Sequence, residues 1–324
     1  MKNLVAIIVG GTGQFGIITS EFLLKRNYKV IITTRSVNKN KKLFKKHRNL
    51  SLYKLNIYNK KKIGKLLNKY KPSLVFYFAG QSSPAKSFLY KKETFRSNFL
   101  GCKNFLDVIL KNNYNCKFVN ASSCEMYGKI NSKIKISSTK KPINPYGLSK
   151  LKSFKITKKY REIHNMKTYN AIIFNTESFL RNRSYLIPKI CLAAIYAKKY
   201  NFKTEFGNLK ISREWNWCPE QVTYLLKFIN KKPQDFILSN GKNYTATQML
   251  KFAFKYFNLD YKNYILINKK KFFRKKDMLQ KKSDWRSCLI RNKINRKVLI
   301  YGNKLTTKLI KYYLKKNYYK NEKN

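Results

Sequence analysis

The stretch "LVAIIVGGTGQFG", residues 4–16, decides the fold class. An unbroken apolar run of strand length ends directly in four glycines, Gly10, Gly11, Gly13 and Gly16, in a chain that has only 12. A run this short reads as a strand covered on both faces; it is too short for a membrane span and lacks the cleavage pattern of an export signal. Glycines at that point let the backbone turn sharply and approach a pyrophosphate. The free N–H groups and the dipole of a following helix would stabilise its charge. A purely structural turn is the plainer alternative, and the spacing is GxxGxxG rather than the GxGxxG of simple dehydrogenases. The strand-turn-helix setting favours nucleotide binding.

Outward from this point, apolar runs alternate with helical periodicity. The runs are "YKVIITTR" (28–35), "LSLYKLN" (50–56), "SLVFYFAG" (73–80), "CKFVNAS" (116–122) and "TYNAIIFN" (168–175), with helices expected near 14–27, 59–70, 91–112 and 145–165. Continuous apolar character and βα alternation predict a doubly wound, Rossmann-type parallel α/β sheet. After about residue 176 the alternation loosens. "YLIPKICLAAIYAKK" and "TATQMLKFAFKYF" read as helices, "FILSNG" and "YILINK" as short strands. We therefore expect a nucleotide-binding domain over 1–175 and a smaller, mainly substrate-binding lobe over 176–324 that ends in a basic tail. Part of 218–245 is expected to return to the first domain.

The 324 residues are 43% hydrophobic, ample for a packed core, and carry 72 Lys and Arg against 14 Asp and Glu, a formal net charge of +58. Such a charge can mark a nucleic-acid or anionic membrane partner. Here the lysines are spread through nearly every polar segment instead of forming one patch, so neither partner is expected. Anionic small substrates remain compatible. The six cysteines form no CxxC pair and the two histidines, His47 and His164, stand far from any ligand cluster, which argues against a zinc or disulfide framework. Free thiols and no export signal predict a cytoplasmic protein.

Three further places carry chemistry. Arg35 closes the second strand in "TTRS", where an acid would hold the ribose of NAD and an Arg accommodates the 2′-phosphate of NADP. This favours NADP over NAD. "NPYGLSK", 144–150, offers Asn144 as an N-cap and Pro145 at the first helical position, then Tyr146 and Lys150 four apart on one face. A neighbouring cation is expected to favour the phenolate of Tyr146, which could then move a proton while a hydride moves. YxxxK also recurs at Tyr58/Lys62, Tyr185/Lys189, Tyr312/Lys316 and Tyr319/Lys323, so context selects Tyr146: it follows the fifth strand and "ASSCEMYG", 121–128. In that stretch Glu125, a carboxylate in a chain with few, is either a solvated loop residue or a catalytic base.

These motifs resemble the extended short-chain dehydrogenase/reductase family of nucleotide-sugar enzymes, and within it the GDP-mannose 4,6-dehydratases. "GGTGQFG", "YFAGQSS", "ASSCEMYG", "NPYGLSK", "FNTESFLR" and "GNLKISREW" stand in that family's order over nearly the whole chain. The resemblance implies an NADP-dependent lyase on a GDP-linked sugar, in a homodimer or homotetramer. It implies Ser123, Glu125, Tyr146 and Lys150 as catalytic, and Gly10, Thr12, Gly13, Gln14, Phe15, Gly16, Arg35, Asn56 and Ala79, with Tyr146 and Lys150, as cofactor contacts. Asn175, Glu177, Arg181, Lys189, Arg213 and Arg274 are implied for the substrate, with Asp277 for the guanosine. A reductase or epimerase of a nucleotide-sugar 4-ketone is the alternative within the family. The chain departs from the family pattern at Ser36, Asn56, Asn216 and Trp217 and in the segment after Arg274, mostly around the substrate.

Overall fold

The computed structural model describes residues 4–268, 281–297 and 299–319. Seven parallel strands form its centre: β1 (Val5–Val9), β2 (Lys29–Thr34), β3 (Leu50–Lys54), β4 (Leu74–Tyr77), β5 (Lys117–Ser123), β6 (Thr168–Ile173) and β7 (Asp235–Leu238). Their spatial order is 3-2-1-4-5-6-7. The order reverses between β1 and β4, where Val9 lies between Thr33 and Tyr77 in register. In open α/β sheets that reversal opens a crevice at the carboxyl ends of the strands.

Alternation explains why the strands are apolar throughout. Ala6, Ile8, Val30, Ile32 and Phe76 join one core with Ile18 and Leu23 of helix α1 (Gln14–Leu24). Ile7, Val9, Ile31 and Val75 join the opposite core with Ile63 of α2 (Lys60–Tyr70) and Phe105 of α3 (Gly101–Lys111). Side chains alternate across a strand, so burying both faces requires both sets to be apolar. The helix expected over 91–112 is two α segments, Lys91–Phe95 and α3, joined by a π-helical turn over Arg96–Leu100.

The long helix α4 (Pro145–His164) begins as expected, with the Asn144 Oδ1 accepting from the Gly147 N–H at 2.7 Å. Beyond it, a separate core is built from α5 (Leu186–Tyr200), α7 (Ala246–Lys255) and α8 (Gly302–Lys315), through Ile190, Ala194, Met249, Leu250, Leu305 and Leu309. Helix α6 (Cys218–Phe228) instead packs its Val222 and Leu225 into the sheet core beside α1. β7 likewise pairs with β6. Among the described residues no helix is long and apolar enough to cross a membrane.

Candidate active site

Each strand of the sheet delivers its chemistry at its carboxyl end. Gly10 follows β1 with φ of +74°, and a Cβ there would stand 2.5 Å from the Ala79 Cα beyond β4. A Cβ on Gly16 would stand 2.3 Å from the Gly11 Cα. Both positions exclude any side chain, one by conformation and contact, the other by contact alone. The loop is thereby folded onto the start of α1, whose first N–H groups have no side-chain cap at Gly13. This cradle fits a dinucleotide pyrophosphate.

The side chains around the loop divide its labour. Phe15 anchors it, with its ring centroid 5.8 Å from that of Phe78. Gln14 ties the loop to the second half of the chain: Nε2 donates to the Thr176 carbonyl at 2.9 Å and Oε1 accepts from the Ser178 hydroxyl at 2.7 Å. Arg35 is exposed at the end of β2. Asn56, also exposed, accepts from the Tyr58 N–H at 3.0 Å through Oδ1.

The four catalytic candidates meet where β5 ends. Ser123 is the last residue of β5, and its hydroxyl accepts from the Glu125 N–H at 3.2 Å, opening a single 3-10 turn. Glu125 is 9% exposed, so it is no solvated loop residue. Its Oε2 accepts from the Asn144 Nδ2 at 2.9 Å. Asn144 thus caps α4 with one atom and holds Glu125 with another, a second role its cap motif does not announce.

Tyr146 and Lys150 share one face of α4, with the Lys150 Nζ 5.8 Å from the Tyr146 ring centroid. The expected electrostatics are corrected here. Burial raises the Tyr146 pKa; a hydrogen bond from Ser123 and the charge of Arg181 oppose the rise, and Glu125 adds to it. Lys150 is 5% exposed, donates to the Ala121 carbonyl at 2.8 Å, and is pushed down to about 8 by burial. Desolvation disfavours the charged form of both groups and outweighs the neighbouring-cation effect that a reading of spacing alone assigns.

On the substrate side, Asn175 lends its carbonyl to the N–H and Nδ2 of Asn216, at 2.9 and 2.8 Å. Glu177 is 3% exposed and pairs with the Nε of Arg181 at 3.7 Å. The guanidinium of Arg181 lies 3.6 Å from the Tyr185 ring centroid. Lys189 donates to the Glu205 carbonyl at 2.6 Å beside the Phe206 ring, and Arg213 donates to the Ser212 carbonyl at 2.8 Å. Arg274 and Asp277 lie outside the described residues. A residue absent from the sequence reading, Glu214, accepts from the Ser239 and Ser283 hydroxyls and from the N–H groups of Gly241 and Ser283. It fixes the strand that carries Arg213. Its signal was available, since carboxylates are scarce throughout this chain and one at 214 is as unusual as one at 125.

A dinucleotide cradle on β1 facing a Ser, Tyr and Lys beyond β5, with an appended helical lobe, defines the class of extended short-chain dehydrogenase/reductases. The same order of motifs reaches further. The sequence model of the GDP-mannose 4,6 dehydratase family matches residues 7–310, and the chain belongs to that family. A GDP-mannose 4,6 dehydratase of Drosophila melanogaster is 30% identical over 271 residues, covering 79% of this chain and 68% of that protein. The fold is shared with the dTDP-glucose 4,6-dehydratase of Streptomyces venezuelae, solved with NAD, at a TM-score of 0.83, 16% identity and 98% coverage of both chains. It is shared equally with the UDP-glucose 4-epimerase of Thermotoga maritima, at a TM-score of 0.82, 19% identity and coverage of 96% of this chain and 100% of that one. Fold therefore does not choose between dehydratase and epimerase; the site has to.

Proposed function

We propose that this protein is a nucleotide-sugar 4,6-dehydratase that converts GDP-mannose to its 4-keto-6-deoxy product. The observation that carries the reading is a buried Glu125 held by Asn144 beside the Ser123, Tyr146 and Lys150 group. An elimination needs a carboxylate that a simple alcohol oxidation does not. Gly10, Thr12, Gly13, Gly16 and Ala79 would hold the cofactor's backbone, and Arg35 would meet the 2′-phosphate of NADP. When bound, the nicotinamide supplies a site that accepts a hydride and later returns it.

The rest belongs to the chain. Tyr146 acts as the phenolate, its charge offset by Lys150 and its oxygen steadied by Ser123, and becomes the neutral phenol when it takes the proton of the sugar 4-hydroxyl. A ketone at C4 acidifies the hydrogen at C5. Glu125 then removes that proton and passes it to the C6 hydroxyl, which leaves as water; with hydride returned to C6, Glu125 delivers a solvent-exchangeable proton to C5 while Tyr146 and Lys150 hold the 4-keto group. Arg181, Lys189 and Arg213 hold the anionic nucleotide. The test is mass spectrometry of products after incubation with a panel of GDP- and UDP-sugars, together with nicotinamide absorbance during turnover. Loss of one water with no net change of cofactor supports the dehydratase; stoichiometric consumption of NADPH would replace it with a reductase.

Two variants probe the binding half of the site. Arg35→Ala should weaken NADP by about 1.5–3 kcal/mol, the contribution of a hydrogen bond to a charged group, and leave NAD nearly unchanged. Equal losses for both cofactors would remove Arg35 from the 2′-phosphate. Arg213→Ala should raise KM for the nucleotide sugar about tenfold with kcat little altered, as for an interaction present in ground and transition states alike. An unchanged KM would make it a packing residue of the second lobe.

A further inference from the structure

Glu177 is a buried acid that the mechanism leaves unused, and unlike Glu214 it has an oxygen without a hydrogen-bond partner. It lies in the short strand Thr176–Glu177, which pairs with Asn216–Trp217 and is tied to the glycine loop through Gln14. Its side chain is 3% exposed, and its Oε2 and the Nε of Arg181 both lack hydrogen-bond partners although they stand 3.7 Å apart. An interior carboxylate in this position is expensive unless it is paired or neutral. Arg181 is not committed to it. Its side chain is 22% exposed, and its guanidinium lies against Tyr185 and reaches the catalytic cluster closely enough for its charge to act on Tyr146.

Among the described residues, the other titratable groups that sense Glu177 come from three helices. Cys191 of α5, Cys218 of α6 and Tyr313 of α8 all sense its charge, and burial pushes each of them up, so they stay neutral through the physiological range. Among the described residues, Arg181 is the cation that balances Glu177. A ligand that draws on Arg181 must therefore unbalance it.

We infer that Glu177 takes up a proton from solvent when the diphosphate of a nucleotide sugar engages Arg181, so that substrate binding and neutralisation of this interior carboxylate are one linked event. The physical reason is that a bound anion competes for the cation that faces a carboxylate shut away from water. A proton removes the conflict without moving the fold. Burial raises the Glu177 carboxyl to about 7 in the free protein, with Arg181 opposing, so the proton is available at modest cost. Below that pH the acid is already neutral and binding needs no proton. Above it, each binding event must recruit one, and affinity falls as pH rises.

This inference rests on Arg181 meeting the substrate, and the experiment separates the two. Full-length Tyr146→Phe protein, saturated with NADP so that no turnover occurs, is titrated with GDP-mannose in two buffers of different ionisation enthalpy. Uptake should approach one proton per site at about pH 8 and nearly vanish at about pH 6, with Kd rising about fivefold between pH 7 and 8, as linkage of one proton to a group that titrates near 7 in the free protein requires. Glu177→Gln in the same background mimics the neutral acid and should bind with no proton uptake and a Kd flat in pH to within about twofold. Arg181→Ala should bind more weakly and take up no proton. Binding without uptake in the parent, or uptake that persists in Glu177→Gln, overturns the inference alone, and the parent measurement does so even if Glu177→Gln fails to fold. No binding of GDP-mannose at all overturns the substrate reading and the inference with it.

Discussion

Glu125→Gln is expected to keep its fold and its cofactor and to lose dehydration by about 10² to 10⁴, the usual contribution of one general acid/base. Gln retains an oxygen that can accept from Asn144 and nearly the same volume, so the 3-10 turn after β5 should persist. What disappears is the ability to accept the C5 proton. Glu125 acts only after oxidation at C4, so the variant should still exchange hydride at C4 while failing to bring solvent deuterium into C5. Tyr146→Phe should lose both exchanges. Near wild-type dehydration by Glu125→Gln would reduce Glu125 to a structural partner of Asn144 and return the reductase or epimerase to first place.

Gly16→Ala should abolish useful cofactor binding with a smaller loss of stability. The added methyl would stand 2.3 Å from the Gly11 Cα and 2.5 Å from its carbonyl carbon and oxygen, all backbone atoms that no rotamer change can move aside. The loop must open, which separates the N–H groups of α1 from the pyrophosphate. A displacement of about 1 Å in such a preorganised site can cost about 10²-fold, while overpacking typically costs about 1–3 kcal/mol. Fluorescence titration with NADPH and thermal unfolding would measure the two effects. Binding within a few-fold of wild type would mean that the pyrophosphate lies elsewhere.

How much of this was legible differs between the two halves of the chain. The strands were readable because each must be apolar on both faces, and a short apolar run between turn residues has few other uses. The glycine loop was readable because Gly10 and Gly16 answer to local geometry. The π turn at Arg96–Leu100 was not, since it inserts into an otherwise regular helical period. Scarcity of acids pointed to Glu125 and the family resemblance to Glu177; the first argument extended to every carboxylate would have reached Glu214 as well, the third buried carboxylate among the described residues.

The sequence by itself determined the class of sheet, the place of the dinucleotide cradle and the pairing of Tyr146 with Lys150, because these depend on periodicity, turn chemistry and helical spacing within a few residues. Only the tertiary structure decided what those groups are worth. Gln14 bonds to residues more than 160 positions away, Glu177 meets cysteines and a tyrosine from three separate helices, and burial lowers the Lys150 pKa to about 8 inside the packed core. Desolvation is the reason: it depends on every element that closes over a group, and no local spacing encodes how completely water is shut out.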